Sequence, residues 1–192
     1  MTDKLTTKEK LVNSALKLFS QKGFENTSTT SICKEAGFSS GALFVHFKTK
    51  NDLLDYIYTS VKKKYFSFVF SKIDQKLNPK KKTETIFRES IKYFLDNYEE
   101  FIFLKSFANS RHISRIAREE VEAEMTAFTQ IFEEGKKQGF FIKEDTELIL
   151  IGMQGIFYAL IQYIKETSEN NQAEIDNNVE KSVKIIMKNF LK

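Results

Sequence analysis

The chain has 192 residues, of which 41% are hydrophobic and 29% charged. That is enough apolar content for one large core or two small ones, and it argues against disorder. The single cysteine, Cys33, excludes an internal disulfide. With no leader pattern or small-residue cleavage site at the amino end, a reducing cytoplasmic location is expected. The net charge of +4 is uneven: residues 1–50 hold 8 basic and 4 acidic side chains, and residues 51–192 hold 22 of each. A polyanion would feel that amino-terminal surplus.

With one proline, seven glycines and no alternating strand-like run, the chain reads as all-α. Thr6-x-x-Glu9 is a capping box, and Leu11, Ala15, Leu18 and Phe19 form one face of a first helix that Gly23 stops. A short second helix over 30–36 buries Ile32, Cys33 and Ala36 and halts at Gly37. A third is predicted over 39–47. Thr49-x-x-Asp52 caps a long fourth helix carrying Leu53, Leu54, Ile57, Tyr58, Val61 and Tyr65, expected to run to Leu77 before Asn78-Pro79 breaks it. Further helices are predicted over 82–97, 99–109, 114–137, 145–165 and 172–191. The apolar stretch 148–164 is interrupted by Gln154 and Gln162. It falls short of the roughly 20 consecutive apolar residues of a membrane span, so a buried helix is expected and no membrane partner.

Two short helices joined by a glycine-containing turn outline a helix-turn-helix, whose second helix lies in the major groove of duplex DNA. On the segment 39–47, Leu43 and Phe47 lie four apart and face inward, leaving Ser40, Gly41, Ala42, Val45 and His46 outward. Small residues let the backbone approach base edges, Ser40 can donate or accept, and Val45 can touch a thymine methyl. Phosphate contacts are expected from Thr29 and Thr30 at one helix amino end, from His46, and from Lys50 at the start of the next helix. The domains expected are a helix-turn-helix over 1–50, a connector helix over 51–78 and a helical ligand-binding and dimerisation domain over 79–192.

The run from Leu11 to Leu54 closely resembles the amino-terminal domain of the tetracycline-repressor (TetR) family of bacterial regulators. The resemblance rests on Ala15, Leu18-Phe19, Gly23-Phe24, Thr29-Thr30, Ile32, Ala36-Gly37-Phe38-Ser39, Gly41, Leu43, His46-Phe47, Lys50 and Leu53. It implies a homodimeric repressor that a ligand releases from a palindromic operator, with Ser39 and Phe44 also in the DNA-facing set. Three departures stand out. Phe44 occupies a position where many members carry a tyrosine that bonds a phosphate, Cys33 replaces the usual alanine, and no aromatic or basic residue stands at Ser40 or Val45.

Beyond residue 56 the abundant phenylalanines suit a core and also a cavity for a small hydrophobic or aromatic molecule. The candidate lining is Phe94, Tyr98, Phe107, Phe128, Phe132 and Gln154; a cationic ligand would want a buried carboxylate such as Glu89 or Glu124. Gly152, Gly155 and Ala159 on one apolar helix, and the stripe with Val179, Val183 and Ile186 on the last, are the expected dimer interface. His112 lacks any ligand cluster and is expected at the surface; Cys33 is expected to be an inert core thiol. No glycine-rich phosphate loop, nucleophile with a paired base or metal-ligand set is present in the sequence, so no catalytic residue, metal or cofactor is expected. The competing reading is a helical ligand-binding or partner-binding module that does not bind an operator.

Overall fold

The structure is a computed structural model that describes residues 5–108, 110–168 and 171–192. Its helices are α1 (Thr7–Lys22), α2 (Thr29–Glu35), α3 (Lys50–Ser71), α4 (Pro79–Asp96), α5 (Tyr98–Phe107), α6 (Arg115–Glu119), α7 (Glu122–Lys137), α8 (Thr146–Thr167) and α9 (Gln172–Phe190), with a 3-10 turn at Ala42–Val45. The all-α expectation holds. Among the described residues the extended pairing is a single antiparallel bridge between Phe141 and Leu191.

The chain divides into two compact units. Of the described residues, one holds those up to Lys62 together with those within Tyr98–Val121, and the other holds Lys63–Asn97 with those within Glu122–Lys192. In the first, α1 is capped as its sequence requires: Glu9 N–H donates to Thr6 Oγ1 (3.2 Å) and Thr6 N–H to the Glu9 carboxylate (2.8 Å). Leu11, Ala15, Leu18 and Phe19 are buried. They pack against α2 and also along α5, where Phe19 and Phe107 rings lie 6.1 Å apart. In the second unit, α4 packs on α7, α8 and α9. Gly135 is needed there, because a Cβ would fall 2.2 Å from the Phe141 ring.

Several boundaries differ from the sequence reading. The fourth helix ends at Ser71, short of Leu77, because 3-10 bonds close it and the Asp74 side chain takes the Lys76 N–H (2.9 Å) in a local turn. Pro79 starts α4 instead of merely ending its predecessor: it occupies the first turn behind the Asn78 cap, where a missing N–H costs nothing. The single helix expected over 114–137 is two helices. Ser114 caps α6 through the Ala117 N–H, and Val121 turns into the first unit's core while α7 belongs to the second.

The expectation that 148–164 forms a buried helix is corrected. Ile149, Met153, Phe157, Ile161 and Ile164 are buried, but Leu148 is 70%, Ile151 58% and Tyr163 57% exposed. By length and composition alone α8 could cross a bilayer.

Candidate nucleic-acid interface

The recognition segment is built by burial on one side and small residues on the other. Gly37 adopts φ 79°, a backbone open to glycine at little steric cost, and so turns the chain out of α2. Phe38 N–H donates to Cys33 O (2.8 Å), and the Cys33 thiol donates to Ser40 O (3.5 Å). Cys33 is therefore a buried thiol that pins the turn. Leu43 and Phe47 are buried as expected, and they anchor the segment from beneath.

The third helix is only a 3-10 turn, Ala42–Val45, flanked by bonds from Ala42 N–H to Ser39 O (3.0 Å) and from Phe47 N–H to Leu43 O (2.9 Å). Gly41, Phe44 and Val45 are weak helix formers, and so short a segment holds its shape only by docking. Its outer face carries Ser39, Ser40, Gly41, Phe44, Val45 and His46, all exposed, with Ala42 half-buried. Phe44 is 54% and Val45 81% exposed.

The α2 amino end is capped by Ser28, whose Oγ accepts the Ser31 N–H (3.0 Å). Thr29 is half-buried and Thr30 exposed at its first two positions. The Lys50 ammonium donates to Phe24 O (3.0 Å) and Thr27 O (3.1 Å) and sits 3.9 Å from the Phe24 ring centroid. It thus closes the loop between α1 and α2 through contacts the sequence does not announce. Lys48, a residue outside the expected DNA-facing set, is exposed two residues past His46. Lys17 and Glu35 pair across α1 and α2 (2.6 Å); that bond holds the Glu35 carboxyl below its usual range and raises Lys17.

His112 is not a plain surface residue. It stacks on Phe24 (4.6 Å), and its Nε2 lies 3.2 Å from Glu25 Oε1. Asp55 Oδ1 accepts the Ser114 N–H (2.9 Å), and the Arg118 guanidinium donates to the Ala108 and Ser110 carbonyls. The segment around His112 therefore braces the loop on which α2 rests. No local pattern marks this, because the partners lie far apart in sequence.

Of the expected pocket residues, Tyr98 stacks on Phe101 (5.4 Å), and Phe107 is buried beside Phe19 and Phe103, all within the first unit. In the second unit Phe132 is filled against Phe141 (4.3 Å), and Gln154 is a surface residue donating to the Tyr158 hydroxyl (3.0 Å). That leaves Phe94 and Phe128 in an aromatic cluster with Tyr65, Phe87 and Phe157. Tyr65 and Ser90 hydroxyls share a bond of 2.8 Å there; burial pushes the Tyr65 hydroxyl up to about 12. Glu89 is half-buried, and one Glu124 oxygen is buried without a hydrogen-bond partner. A cavity of about 560 Å³ lies elsewhere in this unit, between the ends of α4, α8 and α9, lined in part by Lys92, Asp96, Lys165 and Asp176. Among the described residues no cluster of side chains could hold a metal.

The expected dimer residues divide. Gly152, Gly155 and Ala159 lie exposed on α8. Val179, Val183 and Ile186 are buried in their own unit, where α9 packs on α4 and α8, so they cannot also face a second copy.

The profile of the family described as bacterial regulatory proteins, tetR family, matches residues 11–57. That of the tetracyclin repressor-like, C-terminal domain matches residues 58–187, more than half of the chain. The chain belongs to the TetR family. As a TetR family member it is a DNA-binding transcriptional regulator with a helix-turn-helix. It is 26% identical over 172 residues to YttP of Bacillus subtilis (strain 168), a probable HTH-type transcriptional regulator, covering 85% of this chain and 82% of that protein. Two solved structures share the fold. A tetR family protein from Shewanella sp. PV-4 superposes with a TM-score of 0.84 at 22% identity, covering 98% of this chain and 100% of that one. A TetR family transcription regulator from Marinobacter aquaeolei VT8 does so at 0.84 and 17%, covering 97% and 96%.

Proposed function

We propose that this TetR regulator is a dimeric, non-enzymatic repressor of the cytoplasm that seats two recognition turns on a palindromic operator. The observation that carries this is the solvent-facing outer side of residues 39–46, small at Ser39–Ala42 and apolar at Phe44 and Val45, over the buried Leu43 and Phe47. Base edges are approached by Ser39, Ser40, Gly41, Ala42 and Val45. Phosphates are held by Thr29, Thr30, His46 and Lys48. Phe44 packs on sugar, because it lacks the hydroxyl that would reach a phosphate. Lys50 contributes from within, by fixing the loop that carries Phe24 and Thr27.

Dimerisation falls to α8. Leu148, Gly152, Gly155, Ala159 and Tyr163 recur at three- and four-residue spacing on an exposed face, the pattern that lets two helix axes approach. One recognition turn reaches only a half-site, and a two-fold pair reads both halves.

Release falls to a small hydrophobic or aromatic ligand bound in the second unit near Phe94 and Phe128. To act, it must bind the DNA-competent and DNA-incompetent states with different affinity. The test is a titration with duplex taken from upstream of the protein's own coding region, against random duplex of the same length at moderate salt. Preference for the upstream DNA, reversed by a ligand recovered with the purified protein, is the expected result. Equal affinity for both duplexes, alongside ligand binding, favours the ligand-binding module without an operator.

A further inference from the structure

The recognition turn lacks the side chains that read purines by paired hydrogen bonds. Between Phe38 and Phe47 there is no arginine, lysine, asparagine, glutamine, aspartate or glutamate. Guanine is read by two-pronged contacts from arginine or lysine, adenine by those from asparagine or glutamine, and cytosine through acceptance by a carboxylate. Serine hydroxyls both donate and accept, so Ser39 and Ser40 separate the bases poorly.

What the turn offers instead is apolar. Val45 is the most exposed of the large hydrophobic residues described. In a 3-10 turn, residues three apart eclipse, so the Ala42 methyl and the Val45 isopropyl group line up along one edge. Next to them, no atom outside its immediate chain neighbours lies within 4 Å of the place a Gly41 Cβ would occupy, which leaves the backbone open to a groove. Among base edges in the major groove, the feature an apolar group distinguishes is the C5 methyl of thymine.

We infer that Val45, with Ala42 beside it, sets the sequence preference by contacting thymine methyls in each half of the operator. The inference rests on the operator-binding reading above and names the chemistry by which that site discriminates.

The test begins by selecting duplexes from a random pool with the full-length protein. Each thymine of the enriched site is then replaced by deoxyuridine, which keeps the O4 acceptor and the pairing and removes only the methyl. Covering one methyl group predicts a loss of about fourfold for the sensitive thymine of one half-site, and about fifteenfold when its symmetry mate is replaced as well. Val45→Ala, a change at an exposed position, is expected to bind the enriched site more weakly and to become indifferent to the same replacements. A 5-methylcytosine at the sensitive position should recover part of the affinity that plain cytosine loses. Uracil tolerated at every position, or equal thymine sensitivity in wild type and Val45→Ala, would overturn the inference while leaving operator binding intact. Failure of any sequence to enrich would sink the operator reading itself and this inference with it.

Discussion

The Lys50 ammonium lies 3.9 Å from the centre of the Phe24 ring and donates to the Phe24 carbonyl at 3.0 Å. With its second bond, to Thr27 O, this cation satisfies two loop carbonyls and covers an aromatic face. Hydrogen bonds from a charged donor and a cation–π contact together are worth about 2 kcal/mol in a half-buried setting. Lys50→Met should therefore lower stability by about that amount and weaken DNA binding indirectly, with the salt dependence of binding unchanged. A flattened salt dependence with unaltered melting would show a phosphate contact instead.

At the outer face the expectation is the reverse. Lys48→Ala should leave melting unchanged, weaken binding to all duplexes alike and lower the salt slope by about one. His46→Ala should likewise weaken binding without changing sequence preference. Competition between operator and random duplex across a salt series measures both.

The two faces of α8 and α9 separate assembly from folding. A Cβ at Gly155 would meet nothing within 4 Å inside the protomer, so Gly155→Leu should fold normally and shift sedimentation from dimer to monomer. Ile186 is fully buried, and Ile186→Ala should cost about 2–5 kcal/mol of stability. Folded Ile186→Ala protein should still dimerise; a folded monomer there would return α9 to the interface.

The α4–α9 contact carries a pH signature. Arg88 grips Glu180 through two bonds, Nε at 2.5 Å and a terminal nitrogen at 2.9 Å, and this holds the Glu180 carboxyl below its ordinary value of 4.5. A depressed carboxylate stabilises the fold fully above the unfolded value and loses that contribution as pH falls through the folded one. Glu180→Gln should thus cost about 0.5–1 kcal/mol at pH 7, modest because the pair is partly exposed, and the difference from wild type should vanish at acid pH. Urea unfolding of both proteins across a pH series from 7 downward checks it.

How legible all this was from sequence depended on the range of the forces involved. The Thr6–Glu9 box, the Gly37 turn and the inward pair Leu43 and Phe47 act over a few residues, and each appears where the pattern put it. The 3-10 character of Ala42–Val45 was hidden, because capping and periodicity suit either helix type while docking on Leu43 chooses between them. Apolar periodicity likewise identified the stripe through Val179, Val183 and Ile186 but not what covers it. The partners of Lys50 and His112 are hidden for a related reason: Phe24 engages both and lies 26 residues from one and 88 from the other. A charged residue after a recognition turn carries no mark telling an inward ammonium from an outward one.

The central claim, that two copies of the 39–46 face seat together on one duplex, is tested most directly by stoichiometry. The full-length protein would be titrated, in the analytical ultracentrifuge, into a duplex carrying the enriched palindrome and into one carrying a single half-site. The expected result is two protomers bound cooperatively to the palindrome, with half-site centres about 34 Å apart, and far weaker binding to the half-site. One protomer per palindrome, or equal affinity for palindrome and half-site, would contradict it.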